Sequence, residues 1–261
     1  MSQIVVDTNL CAKDGMCVAV CPAGALRSNE QNVPEKVPGS VCILCGHCVA
    51  VCPTEAILHR GLPKGEMPEL CRELPNAAQM DGLLLGRRSV REFKPEPLER
   101  STVEALLDVA RRAPSASNSQ QLRWIVVPDA AKVRAISALV VDWARATELA
   151  FAARAIERWE SGDDLILRGA PTVVVAYAPA EYIFGKVDSA IALTYLELAA
   201  EARGLGACWA GFLTVAGQHE SLRRALAVPE DYAVCGGMML GHPKYRYRRV
   251  PPRNPIRVDW L

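Results

Sequence analysis

The chain has 261 residues, which is enough for one large domain or for an ordinary domain with a smaller one. Half of its residues are apolar and 30 basic residues nearly balance 29 acidic ones, so composition indicates a globular protein and predicts neither nucleic-acid nor membrane binding. No signal peptide is recognisable and no apolar run reaches the length of a membrane span, so the expected location is the cytoplasm.

The cysteines are concentrated near the N-terminus. Seven of the ten lie between residues 11 and 52, and the other three are scattered through the chain. Such density would indicate disulfides in a small secreted domain, but nothing here indicates secretion. Metal or cluster binding is therefore the better interpretation.

The stretch CILCGHCVAVCP, residues 42–53, has the spacing C-x2-C-x2-C-x3-C-P. In iron–sulfur proteins this spacing wraps three thiolates around one cubane and sends the fourth to a second cluster. The alternative is a zinc site, but zinc sites usually use two C-x2-C pairs separated by a long loop. Four cysteines within eleven residues, followed by proline, favour iron–sulfur.

The earlier stretch CAKDGMCVAVCP, residues 11–22, repeats this pattern with Asp14 in the place of Cys45. The Asp14 carboxylate could bind the fourth iron, which it would hold more weakly than a thiolate does. Alternatively, the fourth iron is absent and the cluster has three irons, or Asp14 is a solvated turn residue beside Gly15. Its register with Cys45 disfavours the last reading, and we expect a four-iron cluster with Asp14 or solvent at one corner.

Residues 1–62 therefore resemble a bacterial two-cluster ferredoxin domain. The resemblance implies two 4Fe-4S clusters with crossed ligation, cluster I being Asp-ligated or 3Fe-4S in the alternatives above. The implied ligands are Cys42, Cys45, Cys48 and Cys21 for cluster II, and Cys11, Cys17, Cys52 and Asp14 for cluster I.

Residues 63–79 are predicted to be a linker, because residues 60–76 hold three prolines and two glycines. Residues 80–261 are predicted to form a second domain. Its first helix should begin at a capping box of Ser101 and Glu104 and end before Pro114. The apolar face of this helix is predicted to contain Val103, Leu106, Leu107 and Ala110.

Further along, short apolar runs predict strands at 124–127, 172–177 and 234–241. Helical patterns cover 130–160, broken once, and 187–203. This mixture predicts an α/β or α+β domain. The buried face expected for the helix at 187–203, and the glycine expected to end it, are Ala190, Leu193, Leu196, Ala199 and Gly204.

Three arginines and a serine crowd into residues 87–91, just before the first long helix. The planar guanidinium groups of arginine and the hydroxyl of serine can donate hydrogen bonds to the oxygens of a phosphate. Together with APSASNSQ (113–120), GLGACWAGF (204–212) and VPPRNP (250–255), this segment resembles the FMN-dependent nitroreductase family over residues 80–261. The resemblance implies an α+β core, with a mixed, mainly antiparallel sheet flanked by helices, in a homodimer that binds FMN at its interface.

The resemblance also implies cofactor-binding residues. The phosphate and ribityl chain would contact Arg87, Arg88, Ser89, Arg91 and Arg253, with Arg249 as a further candidate. Pro114, Ser115 and Asn118 would reach the flavin of the other subunit, and the backbone N–H groups of Ala210 and Gly211 would donate to flavin N5 and O4. Arg168 could lie opposite flavin N1 or simply end a helix, and Cys208 is predicted to be a small buried side chain rather than a redox group.

The whole chain resembles a ferredoxin-domain nitroreductase, in which clusters feed electrons to FMN for two-electron reduction of a nitroaromatic, quinone, activated alkene or flavin. No side chain is an obvious catalytic acid. The donor is expected to be a ferredoxin-like protein, with NAD(P)H as the other possibility although no G-x-G-x-x-G fingerprint is present. Two alternatives remain: an FMN-dependent dehydrogenase that exports electrons through the clusters, and a pure electron-transfer protein without a small-molecule substrate.

Overall fold

The computed structural model describes residues 3–62, 67–148 and 150–261. Packing divides the chain into two units, residues 1–74 with 117–119, and residues 75–116 with 120–261. Residues 63–66 of the predicted linker lie outside the described residues. Within the described ranges, no helix is both long and apolar enough to cross a membrane.

The first unit contains two short helices and two antiparallel strand pairs. Strand β1 (Ile4–Val6) pairs with β4 (Ile57–His59), and β2 (Leu26–Ser28) pairs with β3 (Pro34–Lys36). Helices α1 (Met16–Ala19) and α2 (His47–Val51) each contain the third ligand position of one cysteine motif, which is Cys17 in α1 and Cys48 in α2. Ile4, Cys17, Leu26 and Ile57 form its small buried core.

The backbone repeats with the cysteine motif. Gly15 precedes α1 with φ +72°, and Gly46 precedes α2 with φ +75°. Lys13 and Leu44, two residues earlier, also have positive φ, at 57° and 56°. A positive φ is costly for residues other than glycine, so its recurrence at matching positions shows that the two loops share one shape. Asp14 therefore occupies the same backbone position as Cys45.

The second unit is a four-stranded antiparallel sheet with helices on both faces. The strand order is β5-β6-β8-β7. The strands are β5 (Arg123–Val127), β6 (Thr172–Pro179), β7 (Gly206–Trp209) and β8 (Tyr232–Gly241). The helices are α3 (Ala77–Gly86), α4 (Arg100–Ala110), α5 (Ala130–Ala146), α6 (Ala153–Glu160), α7 (Gly185–Glu201), α8 (Gly211–Ala216) and α9 (Glu220–Ala225).

Strand β6 shows why its sequence is a continuous apolar run. Val173 and Val175 point into the core on the side of α5 and α8, whereas Val174 and Ala176 point into the core beside α4 and α7. Side chains alternate along a strand, so a strand covered on both faces needs apolar residues at every position. The expected α+β architecture with a mainly antiparallel sheet is confirmed.

Most predicted elements of this unit are present. The three predicted strands correspond to β5, β6 and β8, and the break predicted within 130–160 separates α5 from α6. Gly204 has φ +71° and ends α7, because its N–H bonds to Glu201 O and the next N–H bonds to Ala200 O. This is the Schellman pattern that favours glycine.

Two local predictions were wrong. Helix α4 begins at Arg100 after Glu99, so Ser101 is already inside the helix and forms no capping box. Ala190 is exposed on α7, since the buried stripe runs through Ser189, Ala192 and Leu193 instead. Helix α3 was not predicted, although Asn76 and Gln79 form a capping box at its start.

Candidate functional site

Four predicted ligands of cluster I surround one cavity of the first unit. Its lining includes Cys11, Asp14, Cys17 and Cys52. Burial raises the pKa of the Cys17 thiol. Burial also acts to raise the pKa of Cys52, but hydrogen bonds from Thr54 and from nearby backbone amides outweigh it, so the pKa is lowered. Donors that favour a thiolate suit a sulfur that binds iron.

Asp14 has a local role as well as a place in this cavity. Its Oδ1 accepts a hydrogen bond from the Met16 backbone N–H at 3.0 Å, at the start of α1. The side chain is exposed, and its second carboxylate oxygen takes no part in this bond. The turn interpretation and the iron-ligand interpretation are therefore compatible, because the two oxygens can serve different partners.

The four predicted ligands of cluster II surround a second cavity. Cys21, Cys42, Cys45 and Cys48 line it. The backbone N–H of Ala25 donates to Cys21 Sγ at 3.2 Å, and burial raises the pKa of Cys48. The donor set of four thiols, one contributed by the other motif, fits a cubane.

Within the described residues, no three His, Cys, Asp or Glu side chains converge closely enough to hold a single metal ion. Thiolates around a cubane lie farther apart than the ligands of one ion, because each binds a different iron atom. The structure thus brings each predicted ligand set to its own cavity, while ligation by those residues stays a prediction.

The arginine segment of the second unit runs beside strand β7. The N–H of Val90 donates to Ala207 O at 2.9 Å, and Ser89 pairs with Ala207 as an isolated parallel bridge. Arg87 Nη1 lies 2.8 Å from Glu197 Oε1 of α7, so a buried carboxylate already neutralises this arginine. The arrangement brings the first and third predicted motifs together.

Ser89 and Arg91 face Cys208 on β7. Burial raises the pKa of the Cys208 thiol, and the charges of Arg91 and Arg168 and a hydrogen bond with Ser89 oppose this rise. Cys208 is buried, as predicted. Arg168 therefore lies within electrostatic reach of the same side chains, and its φ of 59° marks an unusual backbone position there.

Arg88 is held differently from its neighbours. Its Nη1 donates to the backbone carbonyls of Leu85 at 2.9 Å and Arg87 at 2.6 Å, and its Nη2 lies 3.5 Å from Arg249 O. Its Nε is buried without a partner among the described residues. A buried unpaired N–H is costly, so this atom suits an anionic acceptor such as a phosphate oxygen.

The start of α8 supplies the predicted backbone donors only in part. The Ala210 N–H donates to Gly237 O at 2.9 Å, so this amide is already used within the sheet. That bond corrects the predicted role of the Ala210 amide. Gly211 is the first residue of α8, where backbone N–H groups lack helical partners, and a Cβ there would meet open space. Gly211 is therefore the better donor.

The loop after α4 is strained and is anchored by a residue that the sequence analysis missed. Ser117, Asn118 and Gln120 all have positive φ. The Ala116 N–H donates to Asp188 Oδ1 at 3.2 Å, and the Tyr182 hydroxyl donates to Asp188 Oδ2 at 2.6 Å. The signal for Asp188 was an acidic residue at helical spacing from Ala192 and Leu196 on the buried side of α7.

The loop also contains the predicted site residues Pro114, Ser115 and Asn118, and the C-terminal tail contains Arg253. Ser115 Oγ accepts from the Gln120 N–H at 3.1 Å, and Pro114 and Ser115 line a cavity with Trp124. Within the first unit, the Asn118 side chain donates to the carbonyls of Ile43 and Leu44, each at 3.0 Å. Arg253 is exposed in the C-terminal tail, where residues 251–261 form neither helix nor strand.

Comparison with known families matches both units of the chain. Residues 84–242 match the model of the nitroreductase family. Residues 3–53 match the model of a 4Fe-4S dicluster domain.

Relatives and solved structures agree with these matches. The chain is 31% identical to a 5,6-dimethylbenzimidazole synthase of Rhodospirillum rubrum, over 69% of this chain and 88% of that protein. It is 29% identical to an FMN reductase (NAD(P)H) of Bacillus subtilis, over 64% and 67%. A nitroreductase with bound FMN from Bacteroides fragilis shares the fold, with TM-score 0.58 and 22% identity over 71% of this chain and all of that chain.

Proposed function

Because the chain belongs to the nitroreductase family and carries a 4Fe-4S dicluster domain, we propose that iron–sulfur clusters pass electrons to FMN for two-electron reduction of a small organic acceptor. The acceptor is a nitroaromatic, a quinone, an activated alkene or a flavin. The observation that carries the proposal is one chain that combines two thiol-lined cavities with the arginine segment beside β7. Bound FMN exchanges electrons singly with clusters and in pairs with organic substrates.

The proposed clusters use crossed ligands. Cys42, Cys45, Cys48 and Cys21 hold cluster II, and Cys11, Cys17, Cys52 and Asp14 hold cluster I. The two cavities support these ligand sets, because each cavity is lined by all four residues of one set. Protein made anaerobically should contain about eight irons per chain if both clusters are cubanes. About seven irons would indicate a three-iron cluster I, and about four would show that no cluster forms at the site that contains Asp14.

The proposed FMN site uses charge from several segments. Ser89 and Arg91 contact the phosphate or ribityl chain together with Arg88, whose buried Nε is unpaired within the described residues. Arg87 orients the segment through Glu197. Gly211 donates its N–H to the flavin ring. The further proposed contacts are Arg249 and Arg253 from the tail, and Pro114, Ser115 and Asn118 toward the flavin of the other subunit.

The proposed assembly is a homodimer in the cytoplasm. The second unit exposes large apolar side chains, and such surfaces commonly mark contacts with another protein. These include Phe151, Ile183, Phe184, Val187, Tyr195 and Val215. A molar mass from light scattering that matches one chain would reject the dimer.

Anaerobic turnover tests the function. Reduced ferredoxin, dithionite or NAD(P)H is supplied with each acceptor class in turn, and reoxidation of the flavin absorbance is followed. Reoxidation by a small acceptor, with two electrons consumed per molecule, supports the proposal. Electron flow only from a substrate to an oxidised protein acceptor supports the dehydrogenase alternative, and reoxidation only by a protein partner supports a pure carrier.

A second candidate comes from the relative that is 31% identical over 88% of its length. That protein is named 5,6-dimethylbenzimidazole synthase, and formation of the same product is a distinct activity. This product contains the dimethylbenzene ring of a flavin, and its formation from a flavin is an oxidation, so the test supplies reduced FMN, admits air and analyses the mixtures for 5,6-dimethylbenzimidazole by mass spectrometry. Its absence from mixtures in which the flavin has turned over rejects this candidate without affecting the first.

A further inference from the structure

His59 is a buried polar side chain in the wall of the cavity predicted for cluster II. It ends strand β4, is 4% exposed, and lines this cavity with the four thiols. Its Nε2 lies 3.6 Å from Cys42 Sγ. This separation suits a hydrogen bond to sulfur, whose radius is larger than that of oxygen.

The other ring nitrogen determines which atom carries the proton. The backbone N–H of Gly61 donates to His59 Nδ1 at 3.0 Å. A nitrogen that accepts an N–H holds no proton, so the ring proton lies on Nε2. The Nε2–H of His59 therefore donates to Cys42 Sγ.

Gly61 also allows the close approach that makes this arrangement possible. A Cβ at residue 61 would lie 3.3 Å and 3.4 Å from the His59 ring atoms Cε1 and Nδ1, and 3.1 Å from a methyl group of Leu44. Those distances are tighter than ordinary van der Waals contact, so a side chain there would push the ring away from its position. The backbone thus holds the imidazole against Cys42.

The first half of the repeat lacks this donor. Strand β2 (Leu26–Ser28) corresponds to β4 (Ile57–His59), as Cys11 corresponds to Cys42. Leu26 and Ile57 are both buried at the start of these strands, but the strand ends differ. Ser28 is exposed where His59 is buried. The asymmetry makes cluster I an internal reference for any effect of His59.

We propose that His59 is a positioning residue that raises the reduction potential of cluster II through its hydrogen bond to Cys42 Sγ, an inference that rests on the proposed function. Reduction adds one electron to the cluster and moves no proton or bond. The added negative charge is shared by the cysteine sulfurs, so a donor to one of them binds more strongly in the reduced state. Hydrogen bonds to the sulfurs are a recognised determinant of cluster potential.

The test compares three variants of the full chain, purified anaerobically. His59→Leu removes the donor, and His59→Gln offers an amide donor from the same backbone position. His47→Leu is the matched control, because His47 lies in the same motif but is exposed. Iron and sulfide are measured first, and a redox titration followed by electron paramagnetic resonance then gives the potential of each cluster.

Loss of the donor should lower the ratio of reduced to oxidised cluster II at a fixed potential by about threefold to tenfold. At 59 mV per tenfold for a one-electron couple, this is a fall of about 28 to 59 mV in the reduction potential of cluster II. Cluster I should keep its potential in all variants, and His59→Gln should fall between wild type and His59→Leu. Wild-type protein labelled with 15N-histidine should show a weak nitrogen coupling to reduced cluster II. That coupling should vanish in His59→Gln and persist in His47→Leu.

The outcomes separate this inference from the proposed function. Wild-type protein without iron would overturn both. Full iron content with an unmoved cluster II potential in His59→Leu would overturn only the role of His59, as would a shift of the same size in His47→Leu. If His59→Leu fails to assemble cluster II, the role of His59 is tested by the cluster II potential of His59→Gln and by the nitrogen coupling of the wild type. An unshifted potential in His59→Gln, or no coupling in the wild type, would then overturn the proposed hydrogen bond.

Discussion

The ion pair between Arg87 and Glu197 is expected to stabilise the second unit, and breaking it should lower the free energy of unfolding by a measurable amount. Its side chains are 25% and 8% exposed, so Arg87→Ala would leave Glu197 as a nearly buried, unpaired carboxylate. Removing one partner of a buried pair costs about 3–5 kcal/mol, but water can reach the Arg87 side of this one. We therefore expect a loss of about 2–3 kcal/mol in the free energy of unfolding at pH 7.5, below the range for full burial.

The size of this loss should depend on pH. Burial raises the pKa of Glu197 even though Arg87 opposes the rise. A carboxyl with a raised folded-state pKa contributes stability below its unfolded pKa and loses that contribution as pH rises through the folded value. Arg87→Ala removes the charge that opposes this rise in the pKa of Glu197, so a lower pH favours the protonated carboxyl, whose burial costs less. The penalty of Arg87→Ala should therefore be smaller at pH 5 than at pH 7.5.

Urea unfolding at both pH values measures the effect. All five tryptophans lie in the second unit, so their fluorescence reports that unit alone. Arg100→Ala is the control, since its pair with Glu104 is exposed and should contribute nothing measurable. Replacing Arg87 and Glu197 together with leucine should recover most of the loss, because no charge then stays buried. Equal losses at the two pH values, or a loss no larger than the control, would refute the reasoning.

Three further predictions address the clusters, the flavin and the core. Asp14→Cys should change the paramagnetic resonance spectrum of reduced cluster I, because thiolate is the softer ligand; an unchanged spectrum would place Asp14 away from the iron. Arg91→Ala should weaken FMN by about tenfold or more, from about 1.5–3 kcal/mol per charged hydrogen bond, yet keep the iron; retention of FMN on gel filtration would contradict this. Gly236→Ala would place a Cβ 2.7 Å from side-chain atoms of Leu193 and Ser189 and should lower the free energy of unfolding by about 1–3 kcal/mol. An unshifted urea midpoint would show that these side chains move aside without loss of stability.

Elements with a strong local signal were predictable from the sequence. The apolar runs of β5, β6 and β8 are long enough to be recognised alone. Strand β7 and helices α8 and α9 span only four to six residues, so periodicity has too few positions to reveal them. Ser101 matched a capping sequence, but α4 begins at Arg100 with Glu99 as its N-cap, two residues before the predicted cap.

The candidate site was predictable as a set of segments and less so as a set of atoms. The arginine segment and the stretch that forms β7 were identified, and they are neighbours. Their partners come from distant positions that no local motif marks, such as Glu197 on α7 for Arg87 and Gly237 on β8 for the Ala210 amide. These partners decide which charges and which N–H groups are free to meet a cofactor.

The internal repeat illustrates the same limit within one unit. Matching positive φ values at Gly15 and Gly46 follow from matching sequence, because both loops need the same turn. The chemistry differs at two positions of the repeat: Asp14 replaces a thiol in one half, and His59 replaces an exposed serine in the other. The substitution at Asp14 is visible in the motif itself. The one at His59 lies outside the motif and gains meaning only because the strand end carries its ring to Cys42. Two cavities built on one backbone thus present different donors, and those donors, rather than the shared spacing, would set the order in which the clusters accept electrons.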